Sequence, residues 1–277
     1  MANEELQQLR QHYGSNEARA LYELIMRRRF GLSRTDILLG KGTTLSADDK
    51  VELQIIVGRV AKGEPVQYVL GSEEFCGREF LVCSCVLIPR PETQQLVRLV
   101  EQRIAPGSSV LDIGTGSGCI AITLALDGYQ VTAMDISEEA LAIARKNAER
   151  LHAKVEFVKE DIIAPSPRGR DWGLSCIVSN PPYICESEAA EMEENVLLHE
   201  PHLALFVPDH DPLLFYRAIA DYGLLHLEDK GWLFFETNRA YCRQVGELLL
   251  QKGYNEVKTI KDEYDNERFV CACRTAL

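Results

Sequence analysis

The alternation of strand and helix patterns after residue 91 constrains the fold of this chain more than any other feature. Short apolar runs rich in β-branched residues alternate there with segments whose apolar residues recur at helical spacing. We expect strands at 109–113, 130–135, 155–158, 174–179, 232–236, 257–260 and 268–272, and helices at 119–126, 137–150 and 239–251. Such repeated units predict a mostly parallel sheet covered on both faces, with ligands bound beyond the carboxyl ends of its strands.

The segment before this alternation has a different pattern, with apolar residues at helical spacing throughout. Ser-x-x-Asp sequences at 33–36 and 46–49 resemble capping boxes and mark helix starts. Residues 75–88 become β-branched and aromatic around a glycine, which predicts a hairpin. We therefore expect a helical N-terminal domain at 1–73, a β-hairpin linker at 74–90 and a second domain at 91–277.

Charge and cysteine content restrict the partners and the compartment. The chain has 42 acidic and 30 basic residues, a formal net charge of -12. Because proteins that hold DNA or structured RNA usually carry a basic surface, this balance favours a protein or small-molecule substrate. The nine cysteines include no C-x-x-C pair, which indicates buried thiols rather than disulfides. No secretory leader and no apolar run of about 20 residues is evident, so we expect a cytoplasmic protein.

The loop after the first strand of the second domain favours a nucleoside ligand. It reads Asp-Ile-Gly-Thr-Gly-Ser-Gly at 112–118, and alternate glycines allow a sharp turn and close approach of a ligand. The dinucleotide fingerprint G-x-G-x-x-G fails because Cys119 stands at its third glycine, so a ligand without pyrophosphate is favoured. A tight turn without a ligand is the alternative. The candidate cofactor residues here are Gly114, Thr115, Gly116, Ser117 and Gly118.

Carboxylates follow the next two strands. Asp135 ends the second strand, about 20 residues after the glycines, where a carboxylate can accept both ribose hydroxyl protons. Capping of the next helix is an alternative that the position of Asp135 leaves open. Asp161 ends the third strand, where an adenine amino group would need an acceptor. Three suitable loops in succession resemble the cofactor loops of class I methyltransferases.

A stiff loop follows the fourth strand: Asn180-Pro181-Pro182-Tyr183. Its two prolines have fixed φ angles and donate no backbone hydrogen bonds. The loop therefore presents two acceptors, the Asn180 side-chain oxygen and the Pro181 carbonyl, whose spacing suits the two hydrogens of a planar –NH2 group. A rigid turn without a catalytic role is the alternative.

This pair of acceptors suits methylation of an amide nitrogen, whose lone pair is delocalised into the carbonyl. Holding both N–H groups orients the nitrogen towards a methyl donor, and the hydrogen bonds strengthen as the nitrogen becomes positive. The ring of Tyr183 would lie against the substrate group or near a sulfonium. The loop predicts methyl transfer to a planar nitrogen, but it does not separate glutamine from adenine.

Four further segments complete a resemblance to a known family: Gly-Glu-Pro-Val-Gln-Tyr-Val-Leu-Gly at 63–71, Val-Leu-Ile-Pro-Arg-Pro-Glu-Thr at 86–93, the Glu-Pro and Ala-Leu-Phe sequences within 200–206, and the C-terminal residues within 261–272. With them the chain resembles the bacterial release factor glutamine methyltransferases, the HemK/PrmC family. The resemblance implies a class I, Rossmann-like α/β fold with a doubly wound, mostly parallel seven-stranded sheet, preceded by a smaller all-helical domain.

The resemblance also implies the reaction and its partners. A methyl group would pass from S-adenosyl-L-methionine, leaving S-adenosyl-L-homocysteine, to N5 of the glutamine in the Gly-Gly-Gln motif of class I peptide-chain release factors. By similarity, cofactor contacts fall on 114–118, Asp135, Ile162 and Asn180, and substrate contacts on 180–183. The helical domain would help to dock the release factor. We expect a monomer with no metal and no direct contact with nucleic acid or membrane.

Two segments depart from the family pattern. The chain reads Glu-Thr-Asn at 236–238 where Glu-Ile-Gly is usual, and 207–212 replaces a glycine-rich stretch. Both departures leave the details of substrate docking open. Arg90 and Glu92 are candidates for the substrate side of the site, with a salt-bridged helix start as the alternative.

Other functions compete with this interpretation. Glutamine methylation on a ribosomal protein and N6-methylation of adenine in nucleic acid use the same chemistry, although the acidic charge disfavours the second. An NAD-dependent oxidoreductase is disfavoured by Cys119 and by the lack of hydride-transfer residues. A binding module without catalysis is the remaining class.

Overall fold

The structure, a computed structural model, describes residues 4–39, 44–165 and 173–275. The chain divides into two compact units: residues 1–72 with Glu193–His199, and Glu73–Met192 with Glu200–Leu277. The hairpin that we expected as a linker lies mainly in the second unit. The boundaries at 73 and 90 stay a prediction.

The first unit is helical. Its helices are α1 (Glu4–Arg10), α2 (Ser15–Phe30), α3 (Arg34–Leu38), α4 (Ala47–Val60), α5 (Val66–Leu70) and, later in the chain, α9 (Glu194–His199). Both capping boxes are confirmed, since Ser33 and Ser46 each accept a hydrogen bond from the backbone N–H three residues on. Leu9, Ile25 and Val57 are fully buried in the core of this unit.

A hairpin of β1 (Ser72–Phe75) and β2 (Arg78–Leu81) follows. It is confirmed, but its strands end at Leu81 rather than continuing to residue 88. Where β2 ends, the Asn147 side chain bonds the backbone of Leu81, donating to its carbonyl and accepting from its N–H. A side chain thereby takes the place of a partner strand. Phe75 and Phe80 are fully buried and pack edge to face, with ring centroids 6.0 Å apart.

The second unit is built on a seven-stranded sheet. The strands are β3 (Ser109–Ile113), β4 (Gln130–Asp135), β5 (Val155–Lys159), β6 (Leu174–Ser179), β9 (Leu227–Glu236), β10 (Asn255–Lys261) and β11 (Glu267–Cys273). Their order is β10-β11-β9-β6-β3-β4-β5, with β11 antiparallel to both of its neighbours and the other pairs parallel. The doubly wound, mostly parallel sheet is confirmed.

Helices cover both faces of this sheet. They are α6 (Pro91–Arg103), α7 (Cys119–Leu126), α8 (Glu138–Arg150), α11 (Leu214–His226) and α12 (Cys242–Gln251); the short α10 (His202–Leu205) borders the cavity described below. Successive residues of β3 point to opposite faces, so Val110 packs in one core with α6 and α7 while Leu111 packs in another with α11 and α12.

Another two-stranded sheet follows the Asn-Pro-Pro-Tyr loop. The strand β7 (Ile184–Cys185) pairs in parallel with β8 (Phe206–Val207), and a 3-10 helix at Glu186–Glu191 lies between them in the chain. Part of the 207–212 departure therefore pairs with the segment that leaves the stiff loop.

All nine cysteines are free, and six of them are buried as expected, whereas Cys76, Cys83 and Cys85 are only partly buried. Within the described ranges, no helix is both long and apolar enough to cross a bilayer.

Candidate active site

A cavity of about 410 Å³ lies at the carboxyl ends of β3, β4, β5 and β6. Parallel strands bring these ends to one edge of the sheet, so loops distant in the chain meet there. The predicted site residues that line the cavity are Gly114, Gly116, Asp135, Asp161, Ile162, Asn180, Pro181 and Pro182. Four separate sequence signals thus converge on one cavity.

The three glycines of the first loop are required for different structural reasons. All have positive φ angles, 74° at Gly114, 54° at Gly116 and 81° at Gly118, which side chains rarely adopt. A Cβ at Gly114 or Gly116 would meet no protein atom within 4 Å, whereas one at Gly118 would lie 2.8 Å from Ile122 Cδ1 and 3.1 Å from Ala144 Cβ. The first two glycines leave space for a ligand, and the third lets α7 pack against α8.

The buried Asp112 carboxylate supports this loop from beneath. It accepts hydrogen bonds from Thr115 Oγ1 at 2.7 Å and from the Ala121 N–H at 3.2 Å, and it is fully buried. Burial raises the pKa of Asp112 to about 7. No role was predicted for Asp112 from the sequence, although a carboxylate near the end of a buried strand, two residues before the first glycine, was a usable signal.

Two of the predicted loop residues face the protein rather than the cavity. The Thr115 hydroxyl donates to Asp112, and the Ser117 side chain is buried. The carbonyl of Ser117 accepts from Asn147 Nδ2 at 2.9 Å. Any contact of Thr115 or Ser117 with a ligand would therefore come from the backbone.

Asp135 is tied to the same loop. Its Oδ2 accepts from the Gly116 N–H and its Oδ1 from the Ser137 N–H, both at 2.9 Å. Each oxygen keeps a lone pair that can accept a further hydrogen bond. The alternative role of Asp135, capping the next helix, belongs to another residue. Ser137 is the N-cap of α8, and its hydroxyl accepts from the Ala140 N–H. Burial raises the pKa of Asp135.

The end of β5 contributes a polar and an apolar group. Asp161 Oδ1 accepts from the Ile163 N–H at 2.9 Å, which orients the carboxylate and leaves its other oxygen able to accept. Ile162 is 9% exposed and lines the cavity beside it. An acceptor next to an apolar side chain suits a flat heterocycle with an amino group.

Two side-chain hydrogen bonds hold the start of the loop after β6, one from Ser179 and one from Asn180. Before it, the Ser179 hydroxyl donates to the Ile113 carbonyl at 2.6 Å. The Asn180 amide donates from Nδ2 to Thr93 Oγ1 at 3.3 Å. No described residue donates a hydrogen bond to Asn180 Oδ1 or to the Pro181 carbonyl, so these two acceptors are available to a ligand.

Tyr183 lies on the other side of this loop and does not line the cavity. It packs against the core formed with α11 and α12, and burial raises the pKa of its hydroxyl above the usual range. The Tyr183 carbonyl accepts from Asn238 Nδ2 at 3.3 Å, and the same amide donates to Glu188 at 3.2 Å. Asn238, one of the departures from the family pattern, therefore anchors the end of the loop.

A buried carboxylate at the end of β9, that of Glu236, accepts a hydrogen bond from Thr93, the residue that the Asn180 amide bonds. Glu236 is 1% exposed, and its Oε2 accepts from Thr93 Oγ1 at 2.7 Å. Burial raises the pKa of Glu236 to about 7. Sequence reasoning missed this pair, since 143 residues separate its members and nothing local connects them.

Arg90 forms the salt bridge that was the alternative to a substrate-side role. Its Nη2 lies 2.6 Å from Glu200 Oε1, and the Glu200 side chain is 1% exposed. The pair joins two of the family-like segments. Glu92 lines a separate polar cavity of about 150 Å³ with Gln95 and Arg98. Within the described ranges, no group of three or more His, Cys, Asp or Glu side chains is arranged to hold a metal ion.

Two family profiles match the chain. Residues 91–204 match the family described as Methyltransferase small domain, and residues 4–71 match the PrmC N-terminal domain. The match at 4–71 falls in the first unit, and the match at 91–204 falls in the second unit apart from Glu193–His199.

Curated relatives cover nearly the whole chain. A release factor glutamine methyltransferase from Bacteroides thetaiotaomicron is 48% identical over 271 residues, which is 97% of each chain. One from Bacillus subtilis is 40% identical over 261 residues, covering 90% of this chain and 89% of the relative.

Solved structures are similar in fold at low identity. A methyltransferase from Pyrococcus furiosus matches with a TM-score of 0.55 at 18% identity, covering 80% of this chain and all of that one. A 16S rRNA methyltransferase from T. thermophilus, solved with AdoMet and guanosine, matches with a TM-score of 0.52 at 18% identity, covering 74% of this chain and 50% of that one. These likenesses show the fold alone.

Proposed function

Since the chain belongs to the release factor glutamine methyltransferase family, we propose that its cavity binds S-adenosyl-L-methionine and that the Asn-Pro-Pro-Tyr loop presents the substrate glutamine to it. The chain is an S-adenosylmethionine-dependent methyltransferase with the class I fold. Its reaction transfers a methyl group to the side-chain amide nitrogen, N5, of a glutamine in peptide-chain release factors, and leaves S-adenosyl-L-homocysteine.

The residues around the cavity fit this cofactor. Gly114 and Gly116 leave open space where a side chain would stand, so the backbone can approach the methionine part of the cofactor closely. Asp135 keeps acceptor capacity for the ribose hydroxyls, and Asp161 beside Ile162 suits the adenine amino group and ring. The fit needs no metal and no site for a pyrophosphate.

The single observation that carries the assignment of the reacting centre is the pair of available acceptors at Asn180. Oδ1 of Asn180 and the carbonyl of Pro181 stand at the cavity wall without a described donor. A glutamine amide has two N–H groups, so a single planar –NH2 can satisfy both acceptors at once. The stiffness of the two prolines keeps the acceptors apart without a cost in reorganisation when substrate binds.

The mechanism of methyl transfer follows from these two hydrogen bonds. When bound, S-adenosyl-L-methionine supplies an electrophilic methyl group on a sulfonium. The two acceptors hold the amide nitrogen in line with it and favour partial pyramidalisation, which frees the lone pair. As the nitrogen becomes positive, both hydrogen bonds strengthen, so the enzyme binds the transition state more tightly than the substrate. The methylated nitrogen then releases its extra proton to water.

A substitution at Asn180 tests this proposal. Asn180→Ala removes one acceptor, and we expect kcat to fall roughly 100- to 1000-fold, the range for loss of one preorganised hydrogen-bonding group. Mass spectrometry of a purified release factor after reaction measures the methyl gained on the Gly-Gly-Gln glutamine. Asn255→Ala, an exposed asparagine on β10, is the matched control and should retain full turnover. Undiminished turnover by Asn180→Ala would contradict the assigned role.

A separate experiment tests which macromolecule is the methylated substrate. We propose that class I release factors, reached by a monomeric enzyme in the cytoplasm, are the substrates. Ribosomal protein and nucleic acid remain the alternatives, because a glutamine or an adenine elsewhere also offers a planar –NH2. Labelled S-adenosylmethionine incubated with release factor, ribosomal proteins or nucleic acid separates them, and label entering only the last two would refute the proposal.

A further inference from the structure

We propose that Thr93 and Glu236 are positioning residues that set which way round the side-chain amide of Asn180 lies, so that its oxygen meets the substrate. The inference rests on the role proposed for Asn180. It starts from two hydrogen bonds in series: Thr93 Oγ1 donates to Glu236 Oε2 at 2.7 Å, and Asn180 Nδ2 donates to Thr93 Oγ1 at 3.3 Å.

The direction of the first bond determines the second. A hydroxyl has a single proton, and an ionised carboxylate can only accept. Because the Thr93 proton is given to Glu236, Thr93 Oγ1 has only lone pairs to offer to Asn180. Lone pairs attract the amide –NH2 and repel the amide oxygen. The Asn180 oxygen is therefore directed away from Thr93.

Shape alone could not select this orientation, because the oxygen and the –NH2 of an asparagine side chain are nearly equal in size. A flipped Asn180 would present two N–H groups to a substrate –NH2 that also offers only donors. No hydrogen bond to Asn180 could form, and the substrate amide nitrogen would keep only its hydrogen bond to the Pro181 carbonyl. The orientation of one amide thus decides whether the site can hold its substrate productively.

Both positioning residues are rigidly held. Thr93 is 3% exposed in the first turn of α6, and Glu236 is 1% exposed at the end of β9. The Tyr216 hydroxyl donates to the Glu236 backbone carbonyl at 3.3 Å. Neither Thr93 nor Glu236 lines the cavity, so they act on the reaction only through Asn180.

The ionisation of Glu236 controls this chain of bonds. Burial raises the pKa of Glu236 to about 7, the Thr93 hydrogen bond and the charges of Arg268 and Arg90 lower it, and Glu92 raises it. The Tyr183 and Tyr216 hydroxyls face the same region. A protonated Glu236 can donate to Thr93, whose own proton is then free to turn towards Asn180 and favour the flipped amide. We expect kcat to decline as the pH falls through the pKa of Glu236.

Substitution of Thr93 tests the positioning role. Thr93→Val keeps the shape but removes the hydroxyl, and we expect kcat to fall roughly 10- to 100-fold, the size of effect that misplacement of a reacting group produces. Calorimetry should show unchanged affinity for S-adenosylmethionine. Thr93→Ser restores the hydroxyl and should recover most of the turnover. Thr123→Val, at another buried threonine whose hydroxyl bonds no described group, should turn over like the parent enzyme.

A second variant keeps the inference testable if Thr93→Val does not fold. Glu236→Gln keeps the length of the side chain but cannot titrate. Its kcat should be lower than that of the parent at about pH 8 and should not decline further towards about pH 6. An acid decline as steep as in the parent would overturn the role given to Glu236.

The outcomes separate this inference from the proposed function. If Asn180→Ala abolishes turnover while Thr93→Val and Glu236→Gln turn over like the parent, the positioning role is refuted and the proposed function stands. If Asn180→Ala itself turns over normally, the proposed function fails, and Thr93 has no catalytic group to position.

Discussion

Two buried carboxylates organise the site at the scale of single residues. Asp112 holds the glycine loop through Thr115 and the Ala121 N–H, and Glu236 holds Thr93 beside Asn180. Burial raises the pKa of both carboxyls to about 7. Groups with such shifted pKa values commonly occur at functional sites, because the same burial that shifts the pKa also makes the group's few hydrogen bonds strong.

The raised pKa of Asp112 predicts a dependence of stability on pH. Its pKa is about 7 in the folded protein and about 3.9 when unfolded, so the folded state binds more protons between these values. The free energy of unfolding should therefore decrease as pH rises through this window, by at most about 1.4 kcal/mol per pH unit for one carboxyl.

Asp112→Asn removes this titration, and we expect a shallower loss of stability from about pH 4 to pH 7. Urea unfolding at a series of pH values measures it. Asp48→Asn, at an exposed position of α4, is the control and should keep the parent slope. Equal slopes for Asp112→Asn and the parent would show that Asp112 does not titrate in this window.

At the scale of elements, the strand-to-helix turn between β3 and α7 combines two functions in one glycine loop. Gly116 borders the cavity, while Gly118 lies where α7 approaches Ala144 of α8. The same residue type is therefore required for ligand access at one position and for packing at another, and substitutions should separate the two requirements.

Gly116→Ala and Gly118→Ala should differ in what they impair. Both place a side chain at positive φ, which costs roughly 1–2 kcal/mol. At Gly118 the new Cβ also crowds Ile122 and Ala144, so we expect a further loss of about 1–3 kcal/mol in the free energy of unfolding. At Gly116 the Cβ has room, and the main effect should be weaker binding of S-adenosylmethionine. Thermal melting and calorimetry on both variants measure this; equal melting temperatures would refute it.

The helix α11 shows why one element escaped sequence prediction. Its interior contains Gly223, and glycine lowers helix propensity by about 1 kcal/mol relative to alanine. The structure shows why glycine stands there: a Cβ at Gly223 would lie 2.4 Å from the Tyr254 hydroxyl oxygen. Close packing against a residue far along the chain therefore outweighs the local preference.

At the scale of the whole molecule, the first unit carries apolar side chains on its surface. Leu38, Leu39, Val51 and Ile55 are between 56% and 71% exposed, and Val51 and Ile55 lie one turn apart on α4. Val51 and Ile55 share one face of α4, so together they offer a small apolar surface that a partner could cover. They support the proposal that the helical unit helps to dock the release factor.

Ile55→Glu should weaken this docking without affecting the chemistry. We expect a roughly tenfold rise in KM for the intact release factor, equivalent to about 1.4 kcal/mol, with kcat unchanged. A short peptide that contains Gly-Gly-Gln should show no change in either constant. Gln54→Glu adds the same charge at the neighbouring exposed position and serves as the control. An equal effect on protein and peptide substrates would contradict a docking role.

Local patterns in the sequence sufficed for most of the architecture and for the four loops of the site. β3, β4, β6 and α7 have the expected bounds, because apolar periodicity and the restrictions of glycine and proline act over a few residues. The order of the loops along the parallel strands then required them to meet at one edge of the sheet. The position of the cavity could therefore be predicted from local sequence patterns.

The hydrogen bonds that orient the site were decided only by the tertiary structure. Thr93 and Glu236 are 143 residues apart, and Arg90 and Glu200 are 110 apart. No periodicity or turn preference relates such residues, because a hydrogen bond between side chains depends on where the folded backbone places both. The sequence alone determined which groups could hold an amide nitrogen; the fold decided which buried partners direct them.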